Sequence, residues 1–150
     1  MGRGDGTGNA IAPKIWNVAT HKMVAAPAGH TELVMDQAFT PDSKTLVTCS
    51  VDDSIRFWDT TSWKEIPPSL RQRNNVSAVA VSPNGSRFAT ACYDGTVKLW
   101  NVATRREVAS LEAGNVQSLG FSPDSRTLAA FGWGGFLRLW RAPDPELERR

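Results

Sequence analysis

The residues best able to do chemistry are few: two histidines (His21 and His30), two cysteines (Cys49 and Cys92) and the adjacent carboxylates Asp52 and Asp53. Histidine and cysteine together hold zinc when they recur at short, fixed intervals, but His21 and His30 share no such spacing with either thiol. Two cysteines are too few for a disulfide framework or a thiolate zinc site, and they read as reduced, half-buried thiols. Paired carboxylates could run acid–base chemistry or bind a hard cation. Asp52 and Asp53 lie in a turn-forming stretch, however, and a turn explains them without catalysis. No serine stands in a G-x-S-x-G elbow, and neither GxxxxGK[ST] nor GxGxxG occurs. No catalytic residue, no metal ligand and no cofactor is expected.

The bulk properties agree. The chain has 150 residues, 41% of them hydrophobic and 21% charged, with a formal charge of +2. That is one domain's length with enough apolar material for a core. Near-neutral charge argues against a nucleic-acid partner. No apolar run approaches the ~18–20 residues that span a bilayer, so no membrane role is expected, and a cytoplasmic location is. Arg71, Arg73, Arg105 and Arg106 are scattered along turns rather than gathered into a phosphate track.

Six tryptophans reveal what positions these residues. Trp16, Trp58, Trp100 and Trp140 each end a short alternating run: KIWN, SIRFWD, TVKLWN and FLRLWR. The turns TPD at Thr40, SPN at Ser82 and SPD at Ser122 keep the same phase. Between these landmarks fall VMDQAF (34–39), TLVTCS (45–50), VSAVAV (76–81), RFATAC (87–92), VQSLGF (116–121) and TLAAFG (127–132). Alternation over five or six residues, bounded by Pro, Gly, Asp and Asn, is the strand-and-turn pattern. A period near 40 with four strands per unit is a repeat architecture.

On these residues the sequence resembles the WD-40 repeat family of β-propellers, over about 13–142. The resemblance implies an all-β fold of four-stranded antiparallel blades, with repeats at about 18–59, 60–101 and 102–141. It also implies a hydrogen-bonded His–Ser/Thr–Asp–Trp tetrad in each blade. The first unit matches it completely with His30, Thr48, Asp52 and Trp58. The second keeps Thr90, Asp94 and Trp100, with Gln72 in the histidine's place. The third keeps Trp140 alone, with Ala130 and Gly134 where hydroxyl and carboxylate would stand. Strand counting gives thirteen, with outer strands near 22–26, 64–67 and 106–111. A closed ring takes ~4–8 blades of four strands, so the expectation is an open arc of about three blades, part of a longer propeller. The ending WRAP resembles that of large multidomain bacterial WD-repeat proteins, which implies a C-terminal piece. Residues 1–12 read as a Gly-rich leader, in which Arg3-Gly4-Asp5 is a chance match to an adhesion tripeptide, and 143–150 as a charged tail.

The resemblance further implies a non-catalytic protein-interaction scaffold, with the C-terminal propeller of a multidomain enzyme or kinase as the alternative. Its partners would be proteins, with self-association through open blade edges. Carried over residue by residue, the partner-binding face consists of Leu33, Met35 and Val51 in the first full blade. Asn75, Ser77 and Tyr93 follow in the second, and Asn115, Gln117 and Trp133 in the third.

Overall fold

The computed structural model describes residues 12–142. The proposed leader, its Arg-Gly-Asp triplet and the charged tail 143–150 lie outside the described residues. All thirteen described elements are strands and none is a helix: β1 (Ile15–Asn17), β2 (Lys22–Ala25), β3 (Val34–Phe39), β4 (Thr45–Ser50), β5 (Ser54–Asp59), β6 (Leu70–Arg71), β7 (Val76–Val81), β8 (Arg87–Cys92), β9 (Thr96–Asn101), β10 (Glu107–Glu112), β11 (Val116–Phe121), β12 (Thr127–Gly132) and β13 (Leu137–Arg141).

They form two four-stranded meanders, β3-β4-β5-β6 and β7-β8-β9-β10, a three-stranded sheet β11-β12-β13 and the ribbon β1-β2. All pairings are antiparallel. The innermost strands lie side by side, β7 packing against both β3 and β11. The sheets form an open arc of blades. We call β3–β6 the first blade, β7–β10 the second and β11–β13 the third.

One outer strand departs from the sequence pattern. The fourth strand of the first blade was expected near 64–67. Instead Glu65 makes a single bridge to Trp58 and the ladder resumes at Leu70–Arg71. Pro67 and Pro68 interrupt it, since proline has no N–H to give a ladder.

Alternation sends one face of each sheet to each neighbour. Val47, Cys49, Ile55 and Phe57 of the first blade meet Val79, Phe88, Cys92 and Trp100 of the second. Phe88 stacks on Trp100 (ring centroids 5.8 Å apart) and meets Phe57 edge-on at 5.7 Å. On the other side of the second blade, small residues (Ala78, Ala89, Ala91) receive large ones from the third (Leu128, Leu119, Phe121, Trp140). Small against large is how facing layers interdigitate at native density.

The turns need left-handed backbone at recurring positions. Ser43 (φ 59°), Gly85 (φ 69°) and Ser125 (φ 60°) occupy equivalent places in the first hairpin of each blade. Only glycine adopts that conformation without steric cost. Ser43→Gly should therefore raise stability by ~0.5–1 kcal/mol. Ser125→Gly should gain less, because the Ser125 hydroxyl accepts the Asn84 amide of the neighbouring blade at 3.0 Å. Urea unfolding midpoints of the two variants measure the difference; equal gains would contradict it.

Candidate functional site

The titratable residues singled out above converge inside the first blade. His30 comes from the connection before β3, Thr48 from the middle of β4, Asp52 from the β4–β5 turn and Trp58 from β5. The Trp58 indole N–H donates to Thr48 Oγ1 at 2.9 Å, and Thr48 Oγ1 lies 2.7 Å from His30 Nε2. His30 Nδ1 lies 3.0 Å from Asp52 Oδ2. Asp52 also accepts the amides of Thr31 and Ser54, each at 2.9 Å, and the Ser54 hydroxyl. An ionised Asp52 can only accept, so Nδ1 carries the ring proton. In the neutral ring Nε2 then accepts from the Thr48 hydroxyl. The bonds run in one direction, from indole to hydroxyl to imidazole to carboxylate, and each member is satisfied.

Hydroxyl, imidazole and carboxylate in this order are also the arrangement of an activated nucleophile. The surroundings forbid that use. Thr48 is fully buried and His30 is 6% exposed. The hydroxyl oxygen already takes the indole N–H, so no substrate atom can approach it. The site is a structural network.

Burial lowers the His30 pKa, because it disfavours the charged ring more than the Asp52 hydrogen bond favours it. Burial pushes the Asp52 carboxyl up, but the bonds from Ser54, Thr31 and His30 outweigh it and hold the group at about 2. Both depressed values act in one direction. The stability they supply is complete above the ordinary histidine value of about 6.5. It falls as pH drops from there through the His30 value, where the unfolded ring takes up a proton that the folded ring refuses. Asp52 adds a further loss below about 3.8, towards its folded value of about 2. His30→Gln should flatten the dependence between pH 7.5 and 5, read from urea midpoints at each pH. An unchanged slope would mean that His30 is not the group responsible.

The second blade solves the same problem without histidine. Thr90 Oγ1 accepts the Trp100 indole N–H at 2.9 Å and the Gln72 side-chain amide. Gln72 in turn accepts from the Cys92 thiol. Asp94 does not meet Gln72. It accepts the Asn74 amide at 2.7 Å and the Thr96 hydroxyl at 2.7 Å. Two carboxamides thus divide the work of one imidazole. Gln72 was legible from its position; Asn74 was missed, since its only signal is a lone polar residue two places on.

In the third blade the polar members are replaced together. Ala130 leaves the Trp140 indole without a hydroxyl acceptor. Phe136 stands at the place of Ser54 and Thr96, and its ring lies over Gly132, which stands at the place of Ser50 and Cys92. A Cβ built on Gly132 would come within 2.0 Å of that ring and 2.5 Å of the Asn115 carbonyl. An aromatic plug fills the volume that the network occupies elsewhere.

The residues assigned to the partner-binding face separate into two groups. Leu33 (57% exposed), Tyr93 (45%) and Trp133 (63%) stand open, and Met35, Asn115 and Gln117 are exposed beside them. Val51 is half-buried. Ser77 and Asn75 are corrections to the expected face. Ser77 is buried, and its hydroxyl reaches the carbonyls of Ala91 (3.2 Å) and Val116 (3.1 Å), tying the second blade to the third. The Asn75 amide, with its nitrogen turned to the preceding blade, reaches Asp53 Oδ1 (3.1 Å) and the Val51 carbonyl (3.0 Å). The physical reason is a β-bulge near the start of every innermost strand, between Val34 and Asp36, Val76 and Ala78, and Val116 and Ser118. A bulge re-aims the extra residue. It leaves Met35 and Gln117 exposed but turns the short Ser77 inward.

The chain matches the family described as WD domain, G-beta repeat, over residues 21–59, 68–101 and 105–141. Among curated relatives, it is 24% identical over 131 residues to Periodic tryptophan protein 2 of Arabidopsis thaliana, covering 85% of this chain and 15% of that protein. It is 32% identical over 68 residues to Protein FIZZY-RELATED 2 of the same plant, 45% of this chain and 13% of that one. It is 47% identical over 47 residues to the human WD repeat and SOCS box-containing protein 1, 31% of this chain and 11% of that one. The chain therefore spans about a seventh or less of the length of these relatives.

Proposed function

This chain belongs to the WD-repeat family, and from that premise we propose that it is a non-catalytic scaffold whose turn-end surface docks a protein partner. WD-repeat proteins typically serve as interaction scaffolds or regulators. The observation that carries the proposal is the exposure of Leu33, Tyr93 and Trp133 at the same end of the three blades. Large aromatic side chains offer much contact area at little entropic cost, and they anchor interfaces. A patch of this kind on an exposed end marks an interaction site more often than a random surface does. The closure of the Thr48–His30–Asp52 network on itself supports the absence of chemistry. The two free, buried thiols Cys49 and Cys92 suit a reducing, cytoplasmic setting.

The test is a paired capture experiment with the 150-residue chain and its Tyr93→Ser/Trp133→Ser variant as baits. Both positions are exposed, so the variant should melt like the parent. Proteins bound by the parent should be missing from the variant. Identical sets from two equally folded baits would sink the proposal.

A further inference from the structure

In both four-stranded blades a cation on the third strand meets a glutamate at the start of the outer segment. Arg56 donates to Glu65 at 2.6 Å, and Lys98 to Glu107 at 2.7 Å. On the opposite face of the same sheet, Val97 and Leu99 of β9 pair with Leu111 and Ala109 of β10. The outer strand thus carries an acid on one face and alternating apolar residues on the other. The third blade repeats the receiving half of this arrangement. Arg138 stands at the place of Arg56 and Lys98. It lies over the Phe136 ring at 5.9 Å and meets no carboxylate among the described residues. Leu137 (63% exposed) and Leu139 (61%) stand at the places of Val97 and Leu99. Among the described residues β13 has a partner on its inner side only.

The turn that would bring the chain's own next strand back is also different. Asp59 caps that turn in the first blade by accepting the Thr61 and Ser62 amides, and Asn101 caps it in the second by accepting the Thr104 amide. Arg141 stands at their place and offers no acceptor. Pro143, two residues on, has no N–H to be capped.

We propose that the free edge of β13 is a strand-addition site for an extended segment of another polypeptide, one that sets an acidic side chain against Arg138 and apolar side chains on the Leu137–Leu139 face. An exposed strand edge supplies main-chain hydrogen bonds to any extended peptide. The arginine and the two leucines select among them, and the preferred pattern is acid, any residue, apolar, any residue, apolar. The segment Glu107–Leu111 of this chain has that pattern and serves as the probe. This surface is distinct from the turn-end patch and does not rest on it.

The experiment titrates the 150-residue chain into a dye-labelled peptide with the sequence of residues 105–113, with amide hydrogen exchange followed at residues 137–141. Saturable binding should appear together with slower exchange along β13. Arg138→Glu should weaken binding about fivefold or more, by losing an ion pair and gaining a like-charge repulsion. A peptide with Glu107→Lys should recover affinity for that variant. No binding, or equal affinity for both peptides in both proteins, would overturn the proposal. So would β13 amides already protected in the free monomer, which would assign the edge to residues 143–150. Protection that appears only with a concentration-dependent dimer in sedimentation would assign it to a second copy and overturn the proposal as well.

Discussion

Replacing Gly132 by serine, the residue at the corresponding place in the first blade, should cost about 3 kcal/mol or more of folding stability. Overpacking a filled site typically costs ~1–3 kcal/mol when side chains can move aside. Here they cannot do so freely. The new Cβ would fall 2.0 Å from the Phe136 ring and 2.5 Å from the Asn115 carbonyl. That carbonyl is itself held by the Trp133 amide at 3.1 Å. Adding Phe136→Thr in the same chain should recover part of the loss but not all, because the backbone obstacle remains. Urea unfolding of the single and double variants separates the two contributions. A single-variant loss under about 1 kcal/mol would show that the Phe136 ring is free to leave Gly132.

Thr48→Val should be nearly as damaging, at about 2–4 kcal/mol, although it changes almost no volume. Thr48 Oγ1 receives the Trp58 indole and meets His30 Nε2, so valine strands two buried polar groups at once. Each buried group left without a partner costs ~1–3 kcal/mol. Thr90→Val in the second blade removes the same kind of hub, where Gln72 and the Trp100 indole converge. There the amide of Gln72 still meets the Cys92 thiol, so the expected loss is smaller. Calorimetric or denaturant unfolding of the pair provides the comparison. Losses in the reverse order would mean that the imidazole contributes less than the carboxamide that replaces it.

The arc of blades was legible because the phase of Trp16, Trp58, Trp100 and Trp140, and of the TPD, SPN and SPD turns, reports the one thing every blade must repeat, its backbone path. The tetrad of the first blade was legible for the same reason, since each member sits at a fixed distance from a turn. Departures from the repeat were harder to see. β6 slid to Leu70–Arg71 because Pro67 and Pro68 deny the ladder two donors, a cue present in the sequence but weaker than the alternation around it. The inward turn of Ser77 was hidden. A bulge is a matter of one unpaired residue, and VSAVAV alternates the same way with or without it. The division of one histidine's role between Gln72 and Asn74 was hidden as well, because it depends on two side chains meeting different partners across a strand.

The ties between blades have a mechanical consequence. Near the central axis both joints are pinned: Asp36 accepts the Val79 amide at 3.0 Å and Ser77 reaches the Val116 carbonyl. At the outer rim the joints differ. Between the first and second blades, Arg105 lies 4.0 Å from the centre of the Phe57 ring and donates to the carbonyls of Ile66 and Pro68. Between the second and third, the rim opens into a cleft of about 370 Å³ lined by Leu99, Ala109, Leu111 and Trp140. The arc is thus a fan with one leaf riveted at both ends and the next riveted only at the axle. Bending concentrates at the second joint, and the angle of the third leaf becomes the degree of freedom by which the arc adapts its span to whatever completes it.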